Sequence, residues 1–364
     1  MKEHAYRFSA IKGIQAGREY YVIMCPFKLI PKLFIFNEYD ISPEMRAQRT
    51  LNKARIPEMM RYMIDNPKEY CFSAITASVD GEVKFTPFSK DDLGRNVGKL
   101  SVDMNSSFII NDGQHRRAAI EEALKLNSDL GYENICVVLF IDRGLKRCQQ
   151  MFADLNKHAV RPSKSLGVLY DHKDPLAVLC RTTMNAVDIF RDMIELEKTS
   201  ISNRSRKLFT LNSLYNANRA LLGKSSKSKR VSKQEEDICV EYWKHITLQF
   251  KDWKNVKDRK INPAEFRRDY VHAHGVLLHA LGITGNALLS NHQSVWKKKI
   301  VKLQTIDWSR KNTSLWEGRA MIRGRMTASQ PNLLLTSAAI KQALNVKMTP
   351  EEIELGKSFK PRDK

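Results

Sequence analysis

Residues 108–119 read FIINDGQHRRAA, and this stretch decides the fold predicted for the N-terminal half of the chain. An apolar run ends at the turn-forming sequence Asn111-Asp112-Gly113, and a helical pattern of apolar residues starts immediately after it. Glycine tolerates the positive φ that such a sharp turn from strand to helix requires. The stretch therefore predicts a strand, a tight turn and a helix that begins near Gln114.

The first turn of this helix carries more positive charge than a helix N-terminus favours. Gln114, His115, Arg116 and Arg117 occupy that turn, where the helix dipole already supplies partial positive charge. Two arginines in this field indicate that an anion, most simply a phosphate, binds at the turn. The alternative is an ordinary turn whose arginines point into solvent, and the residues alone leave both interpretations open.

Length and charge narrow the class of protein. The chain has 364 residues, enough for two domains, and 42% of them are hydrophobic, which predicts folded domains with a sizeable core. Its formal charge is +21, from 61 Lys and Arg against 40 Asp and Glu. A folded protein with this excess is expected to bind a polyanion, with DNA or RNA ahead of an anionic membrane. A basic protein with no nucleic-acid role is the alternative.

The sequence contains no motif that indicates a metal site or a nucleotide hydrolase. The 6 cysteines include no C-x-x-C pair, and no spacing of Cys and His resembles a zinc site. Walker, dinucleotide-binding, serine-hydrolase and zinc-protease motifs are absent from the sequence. The N-terminus also lacks a long apolar stretch. We therefore expect a cytoplasmic protein with no membrane partner, no metal site and no identified catalytic residue.

The predicted secondary structure changes from strands to helices near residues 170–174. Before this point strand-like runs cover residues 20–24, 73–79, 83–85 and 135–141, and residues 29–36 read as a further strand or buried crossing. After it helical patterns cover residues 208–222, 235–250, 263–281 and 287–303. The fold class predicted is mixed α+β. An α/β N-terminal domain is expected over residues 1–172 and a mainly α-helical, basic C-terminal domain over residues 173–364.

A second polar cluster follows the turn in the sequence. Asn156, Lys157 and Arg161 end a helical pattern just before a proline, and they could reach a ligand held at the turn. Cations are also common in the last turn of any helix, so this cluster alone is not specific.

Two basic segments of the C-terminal half are candidates for DNA contacts. Residues 223–233 contain no acid and few apolar residues, as in loops that rest on phosphates or in solvated linkers. Residues 318–325 place arginines beside glycines, which suits bidentate phosphate contacts. The residues predicted to contact DNA are Lys224, Lys227, Lys229, Arg230, Arg319, Arg323 and Arg325.

Several segments together resemble a known family. The signature DGQHR occupies residues 112–116, and residues 13–21 (GIQAGREYY), 72–77 (FSAITA) and 152–157 (FADLNK) also match. On these segments the chain resembles, nearly end to end, the DndB family of bacterial DNA sulfur modification proteins, which are encoded with phosphorothioation genes. The resemblance implies a cytoplasmic repressor that binds double-stranded promoter DNA of the modification cluster.

The resemblance also implies a distant relation to the ParB and sulfiredoxin proteins, and hence a ParB-like N-terminal domain. In that superfamily a G-x-[RH]-R-x-x-A turn binds nucleotide phosphates, and Gly113, His115, Arg116 and Ala119 match it. Gln114 stands where sulfiredoxin-like proteins have a catalytic cysteine and ParB-like proteins commonly have a glutamate. An amide cannot act as a general base. The resemblance therefore implies a nucleotide as a candidate cofactor, with no other cofactor expected, and slow or absent hydrolysis of that nucleotide.

The anion or nucleotide site expected from these arguments comprises Asp112, Gly113, Gln114, His115, Arg116, Arg117, Asn156, Lys157 and Arg161. Two other functions use the same features. One is a ParB-like nucleotide hydrolase or DNA-nicking enzyme, and the other is a scaffold that recruits other DNA sulfur modification proteins. The operator sequence and the ligand stay open, and recognition of two half-sites would favour a homodimer.

Overall fold

The computed structural model describes residues 4–34, 53–92, 94–141, 150–151, 154–155, 162–202, 204–225, 230–292 and 294–358. Strands and helices are combined in it as a mixed α+β protein, which confirms the predicted fold class. The chain divides into two compact units, Met1–Val160 and Arg161–Lys364. The sequence-based domain boundary, after residue 172, lies one short helix further along. Within the described residues, no helix combines the length and the apolar character that crossing a membrane requires.

The first unit is built on a seven-stranded sheet. Its strands are β1 (Ala5–Gln15), β2 (Arg18–Pro26), β3 (Ile75–Asp80), β4 (Val83–Pro87), β5 (Val97–Asp103), β6 (Ser107–Asp112) and β7 (Asn134–Ile141). Their order across the sheet is β4-β5-β1-β2-β7-β3-β6. Neighbouring strands are antiparallel except β3 and β7, which are parallel.

Three helices of this unit are described. They are α1 (Ile30–Leu33), α2 (Arg55–Asp65) and α3 (Gln114–Leu126). Ile120 and Ala123 of α3 are fully buried in the same cluster as Ile75 of β3 and Val137 of β7. This packing fixes α3 against β3 and β7, and so fixes the turn at its N-terminus.

Three parts of the first unit differ from the sequence-based expectation. Strand β5 was not predicted, because its first residues continue a polar, glycine-containing stretch. Strand β1 was not predicted, because Ile11 and Ile14 are exposed and blur the alternation of buried and polar residues. Residues 29–36, of which the structure describes 29–34, were expected to be a strand or a buried crossing. Residues 30–33 form α1 instead, preceded by a 3-10 turn at Phe27–Leu29, with proline in the first turn where it fits a helix.

The second unit is mainly helical, as expected for the C-terminal half. Its helices are α4 (Lys164–Tyr170), α5 (Pro175–Ala186), α6 (Asp188–Met193), α7 (Leu211–Leu221), α8 (Lys233–Thr247), α9 (Lys251–Lys257), α10 (Pro263–Asp269), α11 (Gly275–Asn291), α12 (Trp296–Ile300), α13 (Thr313–Trp316), α14 (Gln330–Ala343) and α15 (Pro350–Ser358). Short strand pairs join β8 (Ile194–Glu195) to β9 (Phe209–Thr210), and β10 (Met321–Ile322) to β11 (Arg325–Met326).

Tryptophans dominate the core of this unit. Trp243, Trp253 and Trp316 are fully buried, and each indole N–H finds an acceptor. These acceptors are the Asn218 side chain at 2.7 Å, the His272 carbonyl at 2.8 Å and the Asp307 carbonyl at 2.8 Å, respectively. Large aromatic groups stabilise the core by burial, and their satisfied N–H groups avoid the cost of an unmade hydrogen bond.

The helix predicted over residues 263–281 is divided. Helix α10 ends at Asp269, a 3-10 turn covers Val271–Ala273, and α11 begins at Gly275. A Cβ at residue 275 would lie 2.3 Å from the Ser213 hydroxyl oxygen, so glycine permits this close approach to α7. The break changes the direction of the chain between two segments that both match a helical period.

Candidate functional site

The turn at residues 112–114 has the geometry that the sequence predicts. Strand β6 ends at Asp112, Gly113 has φ +106° and α3 starts at Gln114. A Cβ on Gly113 would also lie 3.1 Å from a guanidinium nitrogen of Arg116 and 3.0 Å from Ile75. Glycine is therefore required here both for its backbone conformation and for space.

Arg116 folds back over this glycine instead of extending into solvent. Its Nη2 donates to the Asp112 carboxylate at 2.6 Å and to the Ala74 carbonyl at 2.9 Å, and its side chain is 16% exposed. The Nε–H is buried, and no acceptor for it is found among the described residues. An unmade hydrogen bond of a buried charged group is costly, so this N–H is suited to a ligand oxygen.

The helix end beside Arg116 is also open to an anion. No side chain caps α3 at Gly113 in the described part of the chain, and its first turn contains no acidic residue. Backbone N–H groups in the first turn of a helix lack partners within the helix and attract negative charge. The arrangement can therefore accept a phosphate or carboxylate at the turn.

His115 provides a neutral group at this site. Burial lowers the pKa of His115 below its ordinary value of 6.5, the positive charges of Arg55 and Arg116 lower it further, and Asp112 acts in the opposite direction. These influences together favour the uncharged form of the imidazole. Arg55, the first residue of α2, was not identified from the sequence because it lies far from the signature along the chain.

Gln114 and Arg117 are engaged with the protein itself. The Gln114 amide donates to the carbonyls of Ile110 and Asn111 at 3.3 and 3.5 Å. Arg117 donates through Nε to the Phe34 carbonyl at 2.9 Å, and its Nη1 lies 2.6 Å from the Glu121 carboxylate. With 12% of its side chain exposed, Arg117 holds α3 against the end of α1.

Asn111 is a buried polar residue at the turn that sequence reasoning did not select. It is fully buried, and its Nδ2 donates to the Ser78 hydroxyl at 2.7 Å, while its Oδ1 has no partner among the described residues. The available signal was an asparagine at the end of an otherwise apolar strand. The other predicted members of the site, Asn156, Lys157 and Arg161, lie outside the described residues.

The residues of the basic loop that were predicted to contact DNA differ in exposure and in ion pairing. Lys224 forms an ion pair with Glu235 at 2.5 Å and is 18% exposed, whereas Arg230 is exposed. Lys227 and Lys229 lie outside the described residues. Because Lys224 is paired with Glu235, its charge is partly neutralised within its own unit.

The three arginines predicted to contact DNA after residue 318 differ in exposure. Arg319 is partly buried and donates to the Leu315 carbonyl at 2.7 Å. Arg323 and Arg325 are exposed and lie on the β10–β11 hairpin, Arg323 in its turn and Arg325 in β11. Both arginines are therefore exposed on one short hairpin.

Comparison with known proteins identifies the family. A family model described as DndB, DNA-sulfur modification-associated, matches residues 8–347, nearly the whole chain. No curated protein and no solved structure matches the chain significantly. The family expected from the sequence segments is thereby confirmed, and the chain belongs to the DndB family of DNA-sulfur modification-associated proteins.

Proposed function

We propose that this protein binds double-stranded promoter DNA in the cytoplasm and represses the gene cluster for DNA phosphorothioation. An anion or nucleotide at the DGQHR turn modulates its DNA affinity. The family match supports a role in DNA sulfur modification, and the charge of +21 supports a nucleic-acid partner. The observation that carries the ligand site is the buried, unpaired Nε–H of Arg116 beside an uncapped helix N-terminus, among the described residues.

In this proposal each residue of the turn has a distinct task. The phosphate accepts from Arg116 Nε–H and from the first backbone N–H groups of α3, and Gly113 allows it to approach the backbone closely. His115, being neutral, supplies a hydrogen-bonding group without charge. Arg117 keeps α3 in position. Asn156, Lys157 and Arg161 remain candidate ligand-binding residues in this proposal.

The competing proposal is a nucleotide hydrolase or DNA-nicking enzyme that uses the same pocket. Its chemistry requires a general base near the turn. Gln114 cannot take a proton, and its amide donates to backbone carbonyls. The carboxylate at the turn, Asp112, is already paired with Arg116. Binding with modulation therefore fits the geometry better than turnover.

A gel-shift titration on DNA upstream of the modification genes tests the proposal, with and without nucleotide. Retarded duplex DNA whose affinity changes with nucleotide, together with derepression of a promoter reporter when the protein is deleted, supports it. The variant with alanine at Lys224, Lys227, Lys229 and Arg230 tests the basic loop, and its control carries alanine at the exposed Lys244, Lys251, Lys254 and Lys347.

Three results would overturn parts of the proposal. Failure of the wild type to retard duplex DNA removes the DNA-binding function. Equal affinity and equal salt dependence of the loop variant and its control remove the loop assignment. Nucleotide turnover that is lost in Arg116→Ala favours the enzyme instead. A two-fold symmetric footprint would further indicate a homodimer, and capture of other modification proteins without DNA affinity would indicate a scaffold.

A further inference from the structure

Two clefts flank the short helix α10 in the second unit. One has a volume of about 680 Å³ and the other about 690 Å³, and Ala264 borders both. The first is lined by three arginines and one acid, Glu265. The second is lined by three further arginines and, among its described residues, by no acid. The arginines are Arg267, Arg268 and Arg310 in the first cleft, and Arg204, Arg206 and Arg259 in the second.

Arg267 lines the first cleft and binds the segment that borders the second. It is buried, and its guanidinium donates to the carbonyls of Lys207 at 2.6 Å, Ser205 at 2.9 Å and Ser202 at 3.1 Å. These bonds fix the segment that carries Arg204 and Arg206. Because its own donors are used by the protein, Arg267 is a positioning residue, and the charge offered to a ligand comes from its neighbours.

Arg310 connects the clefts to the β10–β11 hairpin. Its Nη1 donates to the carbonyls of Arg267 at 3.1 Å and Arg268 at 3.0 Å, and its Nη2 donates to the Gly324 carbonyl at 2.5 Å. The hairpin turn with Arg323 therefore lies at the rim of the first cleft. We call the two clefts and this hairpin together the arginine surface.

Two arginines of this surface occupy backbone conformations that suit glycine or asparagine. Arg259 has φ +63° and follows α9, where Arg259 N–H donates to the Val256 carbonyl and Lys260 N–H to the Asn255 carbonyl. This is the Schellman arrangement, whose left-handed position is usually glycine. Arg323 has φ +51° and precedes Gly324 with φ +70° in a two-residue hairpin turn, a position favouring asparagine or glycine.

These conformations are rare in the described chain, where the other non-glycine residues with positive φ are Ala16 and Asn345. Unfavourable backbone conformations are concentrated at functional sites, so they suggest a function for the side chains of these two arginines. Arg259 and Arg323 are exposed, as are Arg204, Arg206 and Arg325. None of the five has an ion-pair partner among the described residues, so their side chains do not serve the fold through ion pairs.

We propose that the arginine surface binds the phosphate backbone of duplex DNA. This inference rests on the DNA-binding function proposed above. Guanidinium groups bind phosphate oxygens in pairs of hydrogen bonds, and a row of them follows a backbone without reading sequence. None of its arginines belongs to the basic segment 224–230 that the sequence predicted to contact DNA. Its arginines set the salt dependence of binding, because each phosphate contact releases a counterion.

The test uses substitutions that suit the backbone. Arg259→Gly and Arg323→Asn remove the charges while placing a favoured residue at each left-handed position. The double variant should lower duplex affinity by at least about tenfold and reduce the salt slope by about 2, at a melting temperature no lower than that of the wild type. The charge-matched control, Lys244→Ala with Lys347→Ala, should keep the wild-type slope.

The outcomes separate this inference from the function on which it rests. If the wild type does not bind duplex DNA, the proposed function fails, and this inference fails with it. If the wild type binds and the double variant matches the control in affinity and slope, the arginine surface is not the contact while DNA binding stands. A lower melting temperature of the double variant would show that the arginines stabilise the fold. Loss of RNA binding with duplex binding intact would overturn the choice of partner.

Discussion

Arg116 donates a hydrogen bond of 2.6 Å to the carboxylate of Asp112, four residues before it and across the Gly113 turn. The first and last residues of the DGQHR signature are therefore an ion pair. This pair explains how a cation is tolerated in the first turn of a helix when no ligand is bound. It also means that an incoming anion competes with Asp112 for the same guanidinium.

Neutralising Asp112 should strengthen anion binding. In Asp112→Asn the side chain can still accept from Arg116 but no longer carries a competing negative charge. Since a hydrogen bond to a charged group contributes about 1.5–3 kcal/mol, we expect about a tenfold gain in affinity for a nucleotide or inorganic phosphate. Isothermal titration calorimetry measures this, and Arg116→Ala should abolish the binding.

The control for this experiment is Glu121→Gln. It neutralises a carboxylate of α3 that lies outside the turn and pairs with Arg117 instead of Arg116. Its anion affinity should equal that of the wild type. Equal or weaker binding by Asp112→Asn would show that the anion does not meet Arg116.

Gly113→Ala should destabilise the first unit. At φ +106° a side chain is strained, and the new Cβ would lie 3.0–3.2 Å from Ile75 and from the Arg116 guanidinium. We expect a loss of about 1–3 kcal/mol in the free energy of unfolding, measured by urea denaturation. The control is Gly167→Ala in α4, where nothing lies within 4 Å of the new Cβ, and alanine should be neutral or stabilise by up to about 1 kcal/mol. Equal effects of the two substitutions would contradict the strain argument.

The strand, turn and helix around Gly113 were predictable because their signals are local. A glycine after Asn-Asp, followed by apolar residues at helical spacing, leaves few other conformations. The partners of the side chains were not predictable in the same way. Arg117 binds the Phe34 carbonyl, which lies 83 residues away in sequence. No periodicity records a contact of that range.

The two clefts of the arginine surface were also not predictable from the sequence, because their arginines come from distant parts of the chain. The DNA contacts predicted from runs of basic residues include Lys224, which is paired with Glu235. Arg204, Arg259 and Arg310 were not predicted, because they are far apart in the sequence and only the fold brings them around α10. The unusual backbone at Arg259 also leaves no signal in sequence, since glycine would have been the expected residue there.

The buried ion pair between α14 and α15 should be strongly sensitive to loss of one partner. Lys341 Nζ lies 2.7 and 2.9 Å from the two Glu352 oxygens, and both side chains are almost completely buried. Lys341→Met leaves a buried carboxylate without its cation, so we expect a loss of about 3–5 kcal/mol in the free energy of unfolding. Urea denaturation at pH 7 measures it.

The double variant Lys341→Met with Glu352→Leu distinguishes a lost pair from lost packing. With both charges removed, stability should recover to within about 1–2 kcal/mol of the wild type, because the desolvation cost disappears with the pair. Glu352 also accepts from the Thr349 backbone N–H at 2.8 Å, so recovery is not expected to be complete. A double variant as unstable as Lys341→Met would assign the effect to packing instead.

The second unit should lose stability as the pH falls from about 6.5 to 4. Burial lowers the pKa of His274 to about 4, with Arg310 and Arg267 adding to the shift, and burial with Arg219 lowers the pKa of His279 to about 4. Between this value and the unfolded value of about 6.5, the unfolded chain binds protons that the folded chain does not. Stability is therefore complete above pH 6.5 and decreases as the pH falls, by on the order of 2 kcal/mol for each histidine.

His279→Gln tests this origin of the pH dependence. Glutamine keeps a polar side chain but does not titrate, so the fall in unfolding free energy between pH 6.5 and 4 should be smaller by on the order of 2 kcal/mol than in the wild type. Urea denaturation at several pH values gives the profile, and the exposed His172→Gln should reproduce the wild-type profile. A His279→Gln profile parallel to that of the wild type would mean that this imidazole is protonated in the folded protein, which would exclude its burial as a neutral group beside Arg219.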